Sequence, residues 1–107
     1  MLFKEGVDIS CITKETIQAM VKASYIFTAR NSLPFVVTSV CDGKHMEGSK
    51  HYEGNAFDIR TWTNRDDGIQ LRGWLKRAIA DELRYELGND YDVVVEDTHI
   101  HVEYDKK

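Results

Sequence analysis

The chain has 107 residues, of which 42% are hydrophobic and 30% charged, and its formal net charge is −4. This length predicts one domain, residues 1 to 107, with a single modest core, and the composition is that of a folded protein. The charge argues against a nucleic-acid partner, because counterion release needs lysine and arginine concentrated on one face and the sequence holds no such cluster.

Targeting signals and cysteines bear on where the protein acts. Residues 1 to 10 contain two acids and no continuous apolar run, so no secretion signal is predicted there. No segment approaches the length of a membrane span, so no membrane insertion is expected.

Cys11 and Cys41 lie far apart without a paired spacing motif. We therefore expect no disulfide framework, packing roles for the thiols, and synthesis in a reducing compartment. The sequence does not indicate the oligomeric state.

The first half of the chain predicts a helix, a strand and a long loop. Thr13 caps a helix that runs to about Arg30. Its apolar residues recur at three- and four-residue spacing: Ile17, Met20, Val21 and Phe27. After Pro34, the β-branched run "FVVTSV" at 35 to 40 predicts the first strand. The polar segment "CDGKHMEGSKHYEG" that follows is too long for a hairpin turn, and long ordered loops are often functional.

The second half predicts a strand, a helix and a hairpin. In "NAFDIRTW" at 55 to 62, Phe57 and Ile59 alternate with Ala56, Asp58 and Arg60, as in a strand with one core face and one open face. The segment "NRDDG" then leads into a long helix with acids at its start and Gly88 just past its end. Its apolar face has Trp74 and Ala78 beside five residues at four-residue spacing: Leu71, Leu75, Ile79, Leu83 and Leu87.

The last segment, "YDVVVEDTHIHVEYD", predicts a hairpin with Asp97 and Thr98 at the turn. With a two-residue loop, Glu96 pairs with His99. The side chains of Glu96, His99 and His101 then leave the same face of the hairpin.

The four histidines fall in two places, two in the long loop and two in the hairpin, and each pair lies beside acids: His45, His51, His99 and His101. Two histidines and a carboxylate from separate segments are the ligands of a zinc ion with one open position. Taken singly, a histidine on a strand is more often a surface or core residue than a ligand, and Asp58 alone could be a solubility residue of an edge strand.

The combination favours a metal site. Gly54 allows a close approach, Ala56 leaves space, and Asp58 projects from a strand whose other face is apolar. The sequence therefore predicts an α+β fold in which a small, mostly antiparallel sheet has helices packed on one face and the zinc site on the other.

The segment "SKHYEGNAFD" resembles the S-x-H-x-x-G-x-A-x-D signature of the M15 zinc peptidases, and "HIHVEYD" resembles their last metal-binding strand. That family includes D-alanyl-D-alanine carboxypeptidases, L-alanyl-D-glutamate endopeptidases and phage endolysins, and hedgehog signalling domains share its site shape. The resemblance covers roughly residues 35 to 105. It implies one zinc ion bound by His51, Asp58 and His101, with a water in the fourth position.

The resemblance also implies a catalytic acid shortly before the last ligand. We expect Glu96 to be this base, because the hairpin places it on the metal face, with Asp97 at the turn as the alternative. His99 lies beside the ligand on the same strand face, so it could donate a hydrogen bond to the oxyanion.

Three further residues are predicted to contact substrate or support the site. His45 is either a rim residue that meets substrate or a support for the ligands, and Ser49 either contacts substrate or closes a turn. Many family members carry an arginine in a segment like S-G-Y-R, which binds the substrate carboxylate, whereas this chain has "SVCD" with Asp42. A free carboxylate would be repelled unless Arg60 or Arg30 supplies the charge.

The resemblance implies a zinc-dependent peptidase that cuts peptidoglycan stem peptides, as a carboxypeptidase or an endopeptidase. We expect it to be made in the cytoplasm without a signal peptide and to act at the bacterial cell wall after release, in phage or prophage lysis, or as a virion component. One alternative is a zinc-stabilised binding or structural domain with little hydrolysis. Another is a metal-free α+β domain whose histidines are incidental.

Overall fold

The structure is a computed structural model that describes residues 1–42, 47–62, 68 and 70–107. Five strands and two α-helices make up the domain, and a short 3₁₀ helix, Lys50–Glu53, precedes the third strand. Their bounds in chain order are β1 Leu2–Phe3, α1 Lys14–Arg30, β2 Val36–Ser39, β3 Ala56–Arg60, α2 Gly73–Leu87, β4 Tyr91–Val95 and β5 His99–Tyr104. Within the described residues, neither α-helix is long and apolar enough to span a membrane.

The strands form one sheet in the order β1-β2-β3-β5-β4. Every neighbouring pair is antiparallel except β1 and β2, which are parallel. The helices cover one face of the sheet and bury its apolar side chains. This core includes Val37, Phe57, Ile59, Val93, Ile100 and Val102 from the strands, with Phe27, Ile79 and Leu83 from the helices. The predicted α+β fold is confirmed.

Helix α1 begins and ends where the sequence predicts. Thr13 is its N-cap, and the Thr13 side chain accepts a hydrogen bond from the backbone N–H of Thr16, which satisfies one of the free donors of the first turn. The predicted apolar face is only partly right, because Ile17 and Val21 are 47% and 43% exposed. The buried stripe runs through small residues instead, namely Thr16, Ala19 and Ala23 beside Met20, Ile26 and Phe27.

Helix α2 is shorter than predicted. It begins at Gly73, so Leu71 precedes it, and its first turn contains no acid. Residues 64 to 67 of the "NRDDG" segment lie outside the described residues. Trp74 is 61% exposed and does not join the apolar face. The predicted end is confirmed, because Gly88 is the C-cap.

Two predictions about the N-terminal half were wrong. The run at 35 to 40 forms the second strand, since Leu2–Phe3 adds a short parallel strand at the sheet edge. Cys11 and Cys41 form a disulfide with a Cα–Cα distance of 6.0 Å. The two cysteines are 30 positions apart in the chain, and a hydrogen bond from the backbone N–H of Cys41 to the carbonyl oxygen of Asp8 helps to hold their segments together. The disulfide removes the argument from the cysteines for a reducing compartment.

Candidate metal centre

Strand pairing places Asp58 and His101 side by side. Asp58 lies in β3 and is the direct partner of His101 in the antiparallel β5, and directly opposed residues project from the same face of a sheet. The Oδ1 atom of Asp58 lies 2.9 Å from Nδ1 of His101. The apolar neighbours Phe57 and Ile59 point to the opposite, helix-covered face, as the alternation in the sequence predicts.

His51 reaches the same carboxylate from the 3₁₀ helix. Its Nε2 lies 3.3 Å from Oδ1 of Asp58, and only 2% of the residue is exposed. The Ser49 hydroxyl caps this short helix by accepting the backbone N–H of His51. At the other end Gly54 has φ +72°, and a Cβ there would overlap the carbonyl oxygen of Cys11. A glycine is therefore required where this turn packs against the N-terminal segment.

Each histidine has a second contact that sets which ring nitrogen carries the lone pair when the ring is neutral. Nδ1 of His51 lies 2.8 Å from the carbonyl oxygen of Val40; a carbonyl only accepts, so Nδ1 carries the proton and Nε2 of the neutral ring has the lone pair. Nε2 of His101 lies 2.9 Å from a carboxylate oxygen of Glu103, which in the same way leaves Nδ1 of the neutral ring as the ligand atom. Such outer hydrogen bonds orient metal-bound histidines.

The three side chains could hold a metal ion. One ligand atom from each of His51, Asp58 and His101 lies within 4.8 Å of the other two. A tetrahedral ion with bonds of about 2.1 Å holds its ligand atoms roughly 3.4 Å apart, close to the separations of 2.9 and 3.3 Å between Asp58 and the two histidines. The donor set, two imidazole nitrogens and one carboxylate, fits this geometry. We call these three residues the candidate metal centre.

The charges of this centre favour an ionised carboxylate. Burial alone would raise the pKa of Asp58, but hydrogen bonds with His101 and His51 outweigh it and hold the pKa well below the ordinary value of 3.8. Burial alone would lower the pKa of His101, but hydrogen bonds to Asp58 and Glu103 outweigh it and raise the pKa above 6.5. A negative Asp58 therefore stands ready as a ligand, while protons compete for His101.

An open depression of about 470 Å³ lies over the candidate metal centre. Beyond the three ligands, its lining includes Glu47, Ser49, Lys50, Glu96, His99 and Glu103. The predicted hairpin pairing is confirmed, because the backbone N–H of Glu96 donates to the carbonyl oxygen of His99 at 2.9 Å. Nε2 of His99 lies 4.0 Å from Oδ2 of Asp58. The structure therefore brings both predicted catalytic residues to the depression that contains the three candidate ligands.

The predicted substrate residues have different positions. Ser49 lines the depression, and its hydroxyl also closes the turn before His51. Arg60 lines a separate depression with the N-terminal strand and stacks on Trp62, with its guanidinium carbon 4.7 Å from the ring centroid. His45 lies outside the described residues. Whether any of them binds substrate stays a prediction.

Two contacts of the centre were missed in the sequence. Glu103 could have been found, because it lies two residues after His101 on the same strand and must share its face. The Val40 carbonyl could not, since a backbone oxygen carries no sequence signal. Asp42, expected to repel substrate, accepts the backbone N–H groups of Asp8 and Val40.

Comparisons with protein families, with curated proteins and with solved structures found no match for this chain.

Proposed function

We propose that the protein is a zinc-dependent peptidase that hydrolyses peptide bonds in the stem peptides of bacterial peptidoglycan. One observation carries the proposal: a carboxylate, Glu96, and a histidine, His99, line the same depression as the three-residue candidate metal centre. A metal-binding structural domain needs the ligands alone. Hydrolysis also needs a base and a donor within reach of the same open space.

Zinc is the proposed ion because two imidazoles and a carboxylate with an open fourth position are its usual catalytic ligand set. When bound, zinc makes water nucleophilic near neutral pH and polarises a carbonyl group. His51 and His101 are oriented for this role by Val40 and Glu103. The resemblance of "SKHYEGNAFD" and "HIHVEYD" to the M15 zinc peptidases supports the same assignment.

Glu96 and His99 have complementary proposed roles. The Glu96 carboxylate takes a proton from the attacking water and then returns it to the amine nitrogen of the departing peptide. The Nε2–H of His99 donates to the substrate oxygen that gains negative charge as the peptide bond breaks. The Thr98 hydroxyl, 3.3 Å from Nδ1 of His99, helps to orient that ring.

The charges around the depression favour an endopeptidase over a carboxypeptidase. Among the described lining residues, Lys50 is the only lysine or arginine, and its ammonium group is 3.4 Å from Glu53 and 3.7 Å from Asp105. Arg30, the other candidate for a carboxylate clamp, is paired with Glu82 on α2. A free substrate carboxylate would therefore meet Glu47, Glu96 and Glu103 without a dedicated partner, which is unfavourable.

The test combines zinc content by elemental analysis with release of amines from purified peptidoglycan. We expect one zinc per chain in wild type and in Glu96→Ala, with amine release by wild type only. Asp97→Ala is the matched control and should retain activity. Zinc-bound wild type that releases nothing from several wall chemotypes would favour the binding or structural domain instead. A chain that retains no zinc would overturn both.

A further inference from the structure

The Cys11–Cys41 disulfide lies directly behind the first metal ligand. Cys41 follows Val40, whose carbonyl oxygen is the hydrogen-bond partner of His51 Nδ1. On the other side of the bond, the sulfur of Cys11 lies 3.9 Å from the carbonyl oxygen of His51. The disulfide therefore joins two segments that both contact this one histidine.

The turn that carries His51 is packed against the segment before α1. The carbonyl oxygen of Cys11 occupies the place where a Cβ of Gly54 would be. The backbone N–H of Thr13 donates to the carbonyl oxygen of Gly54 at 3.1 Å, and the Thr13 hydroxyl donates to Asn55 at 2.9 Å. His51 is thus held between the segment at 8 to 13 and Val40, the residue that follows β2.

Without the disulfide, hydrogen bonds would still join the segment at 8 to 13 to the residues after β2, but more weakly than the covalent bond does. The N–H of Cys41 donates to the carbonyl oxygen of Asp8 at 2.8 Å, and the N–H of Asp8 donates to Asp42 at 3.0 Å in exposed surroundings. Exposed hydrogen bonds exchange readily with water and contribute little each. Cys11 is itself exposed and Cys41 partly so, which makes the disulfide accessible to a reductant.

We propose that the Cys11–Cys41 disulfide is a redox-sensitive site that controls the metal affinity of the candidate metal centre. With the bond intact, Val40 and the 3₁₀ helix hold the His51 ring in its binding orientation. With the bond reduced, the two segments separate, and His51 loses the hydrogen bond that fixes its tautomer. Asp58 and His101 keep their positions, because strand pairing rather than the disulfide sets them. This proposal rests on the metal centre alone and is independent of peptidase activity.

The co-reactant is a dithiol. Its thiolate attacks one sulfur of the disulfide, and its second thiol then resolves the mixed disulfide. Two electrons and two protons pass to Cys11 and Cys41, which become thiols, while the dithiol becomes a disulfide. The metal centre is therefore expected to be well formed in oxidising surroundings and loosened in reducing ones.

The experiment compares zinc affinity by competition with a chromophoric chelator. Wild type is measured oxidised, then after reduction and anaerobic removal of the dithiol, and again after reoxidation. We expect reduction to weaken zinc binding by about 10-fold or more, the effect of losing an outer contact of a ligand, and reoxidation to restore it. The double variant Cys11→Ser/Cys41→Ser should behave as the reduced protein and excludes zinc binding by the free thiols.

Two controls separate a local effect from general destabilisation. Ile79→Val removes one methyl group from the core on α2, outside the two segments that the disulfide joins, and should leave zinc affinity unchanged. Hydrogen exchange should rise at residues 50 to 54 on reduction but not in β5. Equal zinc affinity of the oxidised and reduced forms, absence of zinc binding in both, or global unfolding on reduction would each overturn the proposal. If the serine variant does not fold, the reduced wild type decides.

Discussion

The imidazole of His51 donates from Nδ1 to the carbonyl oxygen of Val40 across 2.8 Å, so its Nε2 lone pair faces Asp58. Eleven positions separate the two residues along the chain. A backbone oxygen just after β2 therefore orients the ring of this candidate ligand.

Removing His51 should abolish metal binding. His51→Ala takes away one of three ligands, and two remaining ligands bind a divalent ion far more weakly. We expect the purified variant to lose most of its zinc by elemental analysis. His99→Ala is the matched control, because that ring lines the depression without belonging to the ligand group. Equal zinc loss in both variants would contradict the assigned ligand set.

Neutralising Glu96 should affect turnover but not metal content. Glu96→Gln keeps the shape of the side chain and removes its ability to accept a proton, so hydrolysis should fall about 10²- to 10⁴-fold. The measurement is the initial rate on a synthetic stem peptide, with zinc content determined on the same sample. Asp97→Asn should keep its activity. The reverse pattern would identify Asp97 as the base.

Glu103 should tune zinc affinity through His101. Glu103→Ala removes the acceptor for the Nε2–H, so zinc should bind roughly 10- to 100-fold more weakly. Glu103→Gln retains an acceptor oxygen and should fall between wild type and the alanine variant. Glu53→Ala, which removes a more exposed carboxylate near Lys50, is the control in the same competition assay. Wild-type affinity in Glu103→Ala would show that the contact does not support the ligand.

Zinc affinity should decrease as the pH falls. In the metal-free protein the pKa of His101 is raised by Asp58 and Glu103, whereas metal binding requires the neutral ring. Protons therefore begin to compete above the ordinary pKa of 6.5, and the stabilisation from zinc is lost as the pH falls through the raised value. Chelator competition between about pH 5.5 and pH 8 checks this. A flat profile would mean that His101 does not bind the ion.

Gly54 should tolerate no side chain. Gly54→Ala strains a backbone with positive φ and also drives a methyl group into the carbonyl of Cys11. Gly6→Ala is the control, since Gly6 also has positive φ but open space around it. We expect Gly6→Ala to lower the free energy of unfolding by about 1 kcal/mol and Gly54→Ala by about 1 to 3 kcal/mol more. Denaturant unfolding measures both, and equal losses would contradict the close packing.

Much of the local structure follows from the sequence because it depends on near neighbours. The Thr13 cap, the Gly88 end of α2 and the turn at Asp97 and Thr98 all involve residues within a few positions. The alternation of side chains along β3 is enough to place Asp58 on the opposite face of the sheet from Phe57 and Ile59. The helix faces were harder to predict, because small residues such as Ala19 and Ala23 allow close packing without a strong apolar signal.

The sequence by itself determined most of the elements, the two faces of β3 and the residue types of the candidate metal centre. Tertiary structure alone decided which segments meet: β3 lies between β2 and β5, the two residues of β1 join the sheet edge in parallel, and Cys11 bonds to Cys41. It also decided that Val40 and Glu103 orient the two histidines of the candidate metal centre. Such contacts join segments far apart in the chain. Their contribution to stability therefore depends on packing and loop closure across the whole domain rather than on any local pattern.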